Sequence, residues 1–432
     1  MTHFADRIAA LGTENAFSVG ADIAKVSGRG VDVVKLNIGE PDFDSAAHIN
    51  EAAIAEIRRG NSHYCDPQGV IGLREAICGH IAETRGLHVT PDRVVVTTGG
   101  KPGIGFTIQS YVNPGDEVIY PSPGFPIYES WITYSGGKPV PLHLREESGF
   151  TFTPDDLAAL ITPRTRVIFL CSPSNPTGGV LSKEELAGIA RVIRDKAPRD
   201  VRVYSDEIYE QCIFDGATHH SIAAEPEMEQ RTIISSGHSK GFAMTGWRLG
   251  YVVLPTAAEA AILKQLTINT VSCVPPFIQE GGRVALTSAE SAPEIARMVA
   301  AFQERRDWIV PTLNDMAGVR CQNPKGAFYV FPNVAGVCEK LGIIDAHESL
   351  PAARRAHTSP SAMLQMFLLY SYGVATMDRN SFGKIGAEGQ HFLRLSIATS
   401  LGRLKEGVAR MCEASNDPRG FARFMEDEKL YS

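Results

Sequence analysis

The run Ser239-Lys240-Gly241-Phe242-Ala243-Met244-Thr245-Gly246-Trp247-Arg248-Leu249-Gly250 sets a lysine and an arginine in one glycine-punctuated stretch. Thr232-Ile233-Ile234-Ser235 precedes it, and Leu249-Gly250-Tyr251-Val252-Val253 closes it. Both flanks are short, apolar and rich in β-branched or aromatic residues, so they read as buried strands joined by the lysine loop. Lysine is ordinarily a solvated surface residue. One tethered to the end of a buried strand is a candidate for chemistry, and what it needs should stand elsewhere in the chain.

Upstream, further strand-length runs alternate with helical patterns. Val94–Thr98, Glu117–Tyr120, Val167–Cys171 and Val201–Tyr204 read as strands. Helices are expected over about 47–60, through Leu73–Ile77, and over about 102–112 and 183–196. Apolar strands alternating with helices predict an α/β fold whose central sheet is mostly parallel and covered on both faces. Downstream, a long helical pattern runs over about 276–315 with a break near Pro293. The strands Gly326–Phe331 and Phe392–Ala398 follow, and 336–366 reads as a loop-and-helix insertion. The expected organisation is a large domain over 48–290 and a smaller α+β domain built from both ends, 1–47 and 291–432.

The bulk numbers exclude several classes. The 432 residues are 44% hydrophobic and 21% charged, an ordinary globular balance. A net charge of -7 without a Lys/Arg run argues against a nucleic-acid partner. The longest apolar stretches fall far short of the roughly 20 residues a membrane span needs. No basic region followed by an apolar core opens the chain, so no signal peptide is expected. Eight scattered cysteines with no CxxC pair speak against zinc and against a disulfide framework. They point to a reducing compartment, the cytoplasm.

In an open parallel sheet, ligands bind outside the carboxyl ends of the strands, so residues there can converge. Gly99-Gly100-Lys101 follows the first strand and opens a helix, where free amides suit a phosphate; a plainly capped helix start is the simpler reading of those residues alone. Ser174-Asn175-Pro176-Thr177-Gly178 follows another strand as a turn that could present a carboxamide. Asp206-Glu207-Ile208-Tyr209 sets an acid at a strand end and a phenol one helical turn on. Arg394 lies in an otherwise apolar strand, where a charge is costly unless paired; a salt bridge or a bound carboxylate would each explain it. An amine, an acid for a ring nitrogen and a phosphate cup together match what pyridoxal phosphate chemistry requires.

On these motifs the chain resembles the fold-type I pyridoxal-phosphate enzymes, in the class I/II, aspartate aminotransferase-like family. The resemblance runs from Asn37-Ile38-Gly39-Glu40-Pro41 to Arg394-Leu395-Ser396. It implies that Lys240 carries the aldehyde of pyridoxal 5′-phosphate as an imine and, once released by substrate, shuttles the proton from substrate Cα. Asp206 would pair with the pyridine nitrogen, Tyr209 and Asn175 with the phenolic oxygen, and Phe125 would stack on the ring. Gly100, Lys101, Ser239 and Arg248 would form the phosphate cup. Tyr64 would be a phosphate ligand donated by the neighbouring subunit, which implies a homodimer with shared sites. Arg394, with Gly39 and Asn175, would hold the substrate carboxylate.

Three departures from the family pattern stand out. Gly237 replaces a common serine, leaving Ser236 or Ser239 to compensate. His238 stands where an aliphatic or aromatic residue is usual and reads as a packing change. The 336–366 segment is longer than is common. The implied activity is a ping-pong exchange between an L-amino acid, aspartate-like or broad, and a 2-oxo acid such as 2-oxoglutarate or pyruvate. Another reaction on the same scaffold (β-lyase, decarboxylase or cyclising synthase) is the alternative. A non-catalytic sensor would need a DNA-binding domain ahead of the fold, and the fold begins almost at once.

Overall fold

Seven runs form one sheet in the computed structural model, which describes residues 3–12, 15–428 and 430. They are β1 (Val94–Thr97), β2 (Glu117–Ser122), β3 (Lys138–His143), β4 (Thr165–Cys171), β5 (Arg202–Asp206), β6 (Thr232–Gly237) and β7 (Gly250–Val253). Their spatial order is β1-β7-β6-β5-β4-β2-β3, with β7 antiparallel to both neighbours and every other pairing parallel. The mostly parallel sheet expected from the alternation is present.

The side-chain period of two divides these strands between two cores. Val94, Val96, Ile234, Tyr251 and Val253 face the helices Ile71–Arg85 and Pro276–Thr287. Val95, Val118, Phe169, Ile233 and Val252 face the helices Lys101–Tyr111, Ile127–Tyr134 and Ala257–Thr270. With both faces covered, the inner strands contain almost no exposed position, which is why they read as continuous apolar runs. The helix Lys183–Lys196 starts on a capping box: Ser182 Oγ accepts from Glu185 N–H at 3.2 Å, and Ser182 N–H donates to Glu185 Oε2 at 2.7 Å.

The structure departs from the expectation in several places. Strand β3 contains Pro139 and Pro141, which hid it; it pairs only with β2, and an edge is where a sheet tolerates residues lacking an N–H. The helices Ile127–Tyr134 and Pro154–Leu160 were also not anticipated. The long helical pattern breaks at 288–290, giving helices Pro276–Thr287 and Ser291–Asn314. Pro293 sits in the first turn of the second, where its missing N–H has no partner to lose. The strand around Gly326–Phe331 shortens to β8 (Tyr329–Val330), since Ala327 adopts φ 58° and cannot continue an extended run. Residues 336–366 are mainly short helices, including Ala335–Lys340 and Ile343–Glu348, leading into Pro360–Tyr372.

A second, antiparallel sheet joins β8 to β9 (Met377–Asp378) and β10 (Leu393–Ser396) in the order β9-β10-β8. Val34–Lys35 pairs in parallel with Val374–Ala375, tying the N-terminal segment beside this part of the chain. Because β7 runs backwards, its first residue, Gly250, lies level with Thr97 of β1 and Gly237 of β6. One rim of the large sheet thus gathers the ends of β1, β4, β5 and β6 with the start of β7.

Candidate active site

A cavity of about 490 Å³ opens at that rim. Gly39, Gly100, Lys101, Phe125, Asn175 and Asp206 line it, as do Tyr209, Ser239, Lys240, Arg248 and Arg394. Tyr64 does not; its side chain is 88% exposed, away from this wall.

Lys240 Nζ donates to Gly39 O at 2.5 Å, so the N-terminal segment lies over the lysine. Asp206 ends β5 beneath it and is buried. Burial pushes its carboxyl up to about 6, although Tyr128 Oη donates to Asp206 Oδ2 at 2.6 Å. Residues 208–211 form a turn rather than the expected helix. That turn still brings Tyr209 to the cavity, where its hydroxyl meets the Tyr329 hydroxyl at 2.7 Å. Burial and Tyr329 push the Tyr209 phenol well above its ordinary value, so it stays protonated.

Arg394 comes from β10 and is 4% exposed. Its Nη1 donates to Asn175 Oδ1 at 3.0 Å and its Nη2 to Asn37 O at 2.5 Å. The guanidinium lies over the Tyr329 ring at 4.5 Å and the Phe382 ring at 4.9 Å. Among the described residues Nε has no hydrogen-bond partner, and no carboxylate lies within 4.0 Å of this buried cation. The salt-bridge explanation for Arg394 therefore fails.

At the other end, the helix Lys101–Tyr111 starts without a side-chain cap, leaving first-turn amides to face the cavity. Arg248 Nη1 donates to Thr245 O at 2.7 Å. Its guanidinium packs so tightly on Gly99, where φ is 83°, that a Cβ there would collide with it. A Cβ on Gly250 would lie 2.7 Å from the Gly99 carbonyl carbon, and one on Gly237 would lie 2.8 Å from Gly250 Cα. Three neighbouring strand ends thus touch through backbone alone, which explains glycine at 237.

Ser236 does not compensate for the missing serine: its Oγ donates to Glu210 Oε1 at 2.8 Å on the far face of β6, while Ser235 and Ser239 line the cavity. His238 is fully buried outside the cavity wall. Its Nε2 donates to Gly282 O at 3.0 Å, its ring lies 5.4 Å from Phe242, and burial pushes its imidazole down to about 4.

The sequence model of the family described as aminotransferase class I and II matches residues 31–411. The chain belongs to this family. It is 35% identical over 415 residues to an aspartate aminotransferase of Musicola paradisiaca, covering 96% of this chain and 97% of that one. It is also 35% identical over 417 residues to an aspartate/prephenate aminotransferase of Cereibacter sphaeroides, covering 95% and 98%. Among solved structures, the aspartate aminotransferase of Rhizobium meliloti superposes with a TM-score of 0.86 at 32% identity, covering 96% and 99%. The chain is accordingly a pyridoxal 5′-phosphate-dependent aminotransferase of fold type I.

The cavity of this aminotransferase fits that cofactor. Asp206 is a buried carboxylate with no ion-pair partner within 4.0 Å among the described residues, which suits it to a protonated ring nitrogen. The uncapped helix start and Arg248 suit a phosphate. Among the described residues no cluster of side chains could hold a metal ion, and no helix is long and apolar enough to cross a membrane. Tyr128 and Tyr329 are two wall residues with hydroxyl partners that sequence reasoning missed, and Ser235 is a third polar one. Both tyrosines sit near recognised positions, Tyr128 three residues after Phe125 and Tyr329 in a recognised strand, but a buried tyrosine resembles a core residue until its hydroxyl partner is known.

Proposed function

We propose that this aminotransferase moves the amino group of an aspartate-like L-amino acid to a 2-oxo acid such as 2-oxoglutarate, in two half-reactions through one cavity. The observation that carries the reading is Arg394: a buried guanidinium with a free Nε, opening on the same cavity as Lys240 and Asp206. A planar fork already anchored by Asn175 and Asn37 O is preorganised for an α-carboxylate. Aspartate is favoured as donor by the names of the relatives above.

When bound, pyridoxal 5′-phosphate supplies an aldehyde that captures the amino group and a ring that accepts the electrons released at substrate Cα. Lys240 Nζ would provide the amine that holds the aldehyde and the base that takes the Cα proton. Asp206 would keep a proton on the ring nitrogen. Tyr209 and Asn175 would hold the phenolic oxygen, and Phe125 would pack against the ring. Gly100, Lys101, Ser239 and Arg248 would hold the phosphate, and Gly39 with Arg394 would take the substrate carboxylate.

Tyr64, exposed and outside its own chain's cavity, is assigned to the phosphate of a partner subunit in a homodimer. The chain divides into a cofactor-binding domain over 48–290, which contains the seven-stranded sheet, and a smaller domain from 1–47 and 291–432, which contains the second sheet. A cytoplasmic location suits its unpaired cysteines.

The deciding experiment adds single amino acids to the loaded enzyme without any oxo acid. Aspartate should convert the cofactor spectrum to the pyridoxamine form and release oxaloacetate, and Lys240→Ala should abolish the conversion. Release of ammonia and pyruvate would move the assignment to a lyase. Conversion only by other amino acids would overturn aspartate as donor.

A further inference from the structure

An ionised carboxylate taken out of water depends on the donors that surround it. For Asp206 the described chain supplies one side-chain donor, the Tyr128 hydroxyl, at 2.6 Å from Oδ2. Ile208 N–H reaches Oδ1 only at 3.4 Å, a marginal contact.

The other titratable groups near Asp206 are Cys171 and Tyr204 on the strands, Glu207 next in the chain, and Lys240 on the loop. Tyr204 gives its hydrogen to Ser235 Oγ at 2.8 Å, and Cys171 Sγ donates to Pro173 O at 3.5 Å, so neither serves the carboxylate.

Tyr128 is held where it is. It is fully buried, stacked on Phe169 with centroids 4.8 Å apart, and edge-on to Phe125 at 5.8 Å. It lies on the first turn of the helix Ile127–Tyr134, three residues after Phe125. The aromatic wall and the donor to the carboxylate are therefore one packed unit.

We propose that Tyr128 is a positioning residue for the cofactor: its hydroxyl fixes the Asp206 carboxylate with one oxygen turned to the ring nitrogen, and so sets how tightly the protonated ring is held. The proposal rests on the placement of Asp206 at that nitrogen given above. Without Tyr128 Oη, the largest of the interactions that offset burial is lost, leaving the Ile208 N–H and the Lys240 charge, and protonation of the carboxyl moves to higher pH.

Tyr128→Phe keeps the ring and its packing and deletes only the donor. The test strips the cofactor from the full chain and measures the affinity for pyridoxal 5′-phosphate and for its 1-deaza analogue, which has carbon in place of the ring nitrogen. Tyr128→Phe should weaken pyridoxal 5′-phosphate about 10-fold at about pH 8, with a larger loss at about pH 7, and leave the analogue unchanged. Equal weakening of both ligands would show a packing role and overturn the proposal, as would no change in either. Equal affinity of the unsubstituted chain for the two ligands would overturn the placement of Asp206 itself, and this proposal with it.

Discussion

Asp206 and Glu207 are consecutive and both buried, and their carboxyls are pushed in opposite directions. Glu207 points behind the sheet into a cluster with Arg85, Glu210, His80 and His219. Burial would raise its carboxyl, but Arg85 Nε at 2.8 Å, His219 Nε2 at 3.0 Å and Ser221 Oγ at 2.5 Å outweigh it and hold Glu207 down at about 2. Asp206 faces the cavity with little more than a tyrosine hydroxyl and is pushed up to about 6.

The arginines repeat the contrast. Arg85 is buried between two carboxylates, whereas Arg394, at least as buried, has none within 4.0 Å among the described residues. The charges behind the sheet are completed by the chain itself. Asp206 and Arg394 in the cavity have no oppositely charged partner within 4.0 Å among the described residues, the arrangement expected of groups that meet a cofactor and a substrate.

Two arginine-to-methionine exchanges test the contrast most directly. Arg85→Met strands Glu207 and Glu210 in the interior and should destabilise the protein by about 3–5 kcal/mol in urea denaturation, with KM unchanged. A loss below about 1 kcal/mol would break the comparison. Arg394→Met should raise KM for both the amino acid and the oxo acid about 100-fold, while cofactor affinity and stability hold. Equal loss of cofactor and substrate binding would remove Arg394 from its assigned role.

A smaller effect lies in the pH dependence of the cofactor-free protein. Asp206 has a folded-state value above its unfolded one, so its stabilising contribution is full below about pH 4 and is lost as pH rises through about 6. Glu207 behaves oppositely: its contribution is present above its ordinary value of 4.5 and is lost as pH falls through about 2. Asp206→Asn should remove the first slope and leave the second, as read from melting temperatures across pH.

Much of this was legible in the sequence because β4, β5 and β6 run the same way and lead, at or just past their ends, to Asn175, Asp206 and Lys240. What was not legible depended on direction or partnership. Ser235 and Ser236 look equivalent on paper, yet adjacent residues of a strand face opposite sides, so only the first reaches the cavity. Tyr128 and Tyr329 read as core aromatics, because a hydroxyl's role is set by what it meets across the fold. Strand β3 was concealed by two prolines that only an edge position permits. Arg85 gave no signal, since its carboxylate partners lie more than a hundred residues away.

The row Gly99, Gly250 and Gly237 crosses three strand ends: a Cβ would meet backbone at Gly250 and Gly237, and at Gly99 it would meet the Arg248 guanidinium on a positive φ. Randomising each position in turn would leave a bare stripe there, running across the strands rather than along the chain. No single change at one of the three opens space at the next, so the stripe offers no stepwise route to a larger residue. Neutral drift can rewrite the strands on either side, but a larger residue at this seam must displace backbone at Gly237 or Gly250, or Arg248 at Gly99.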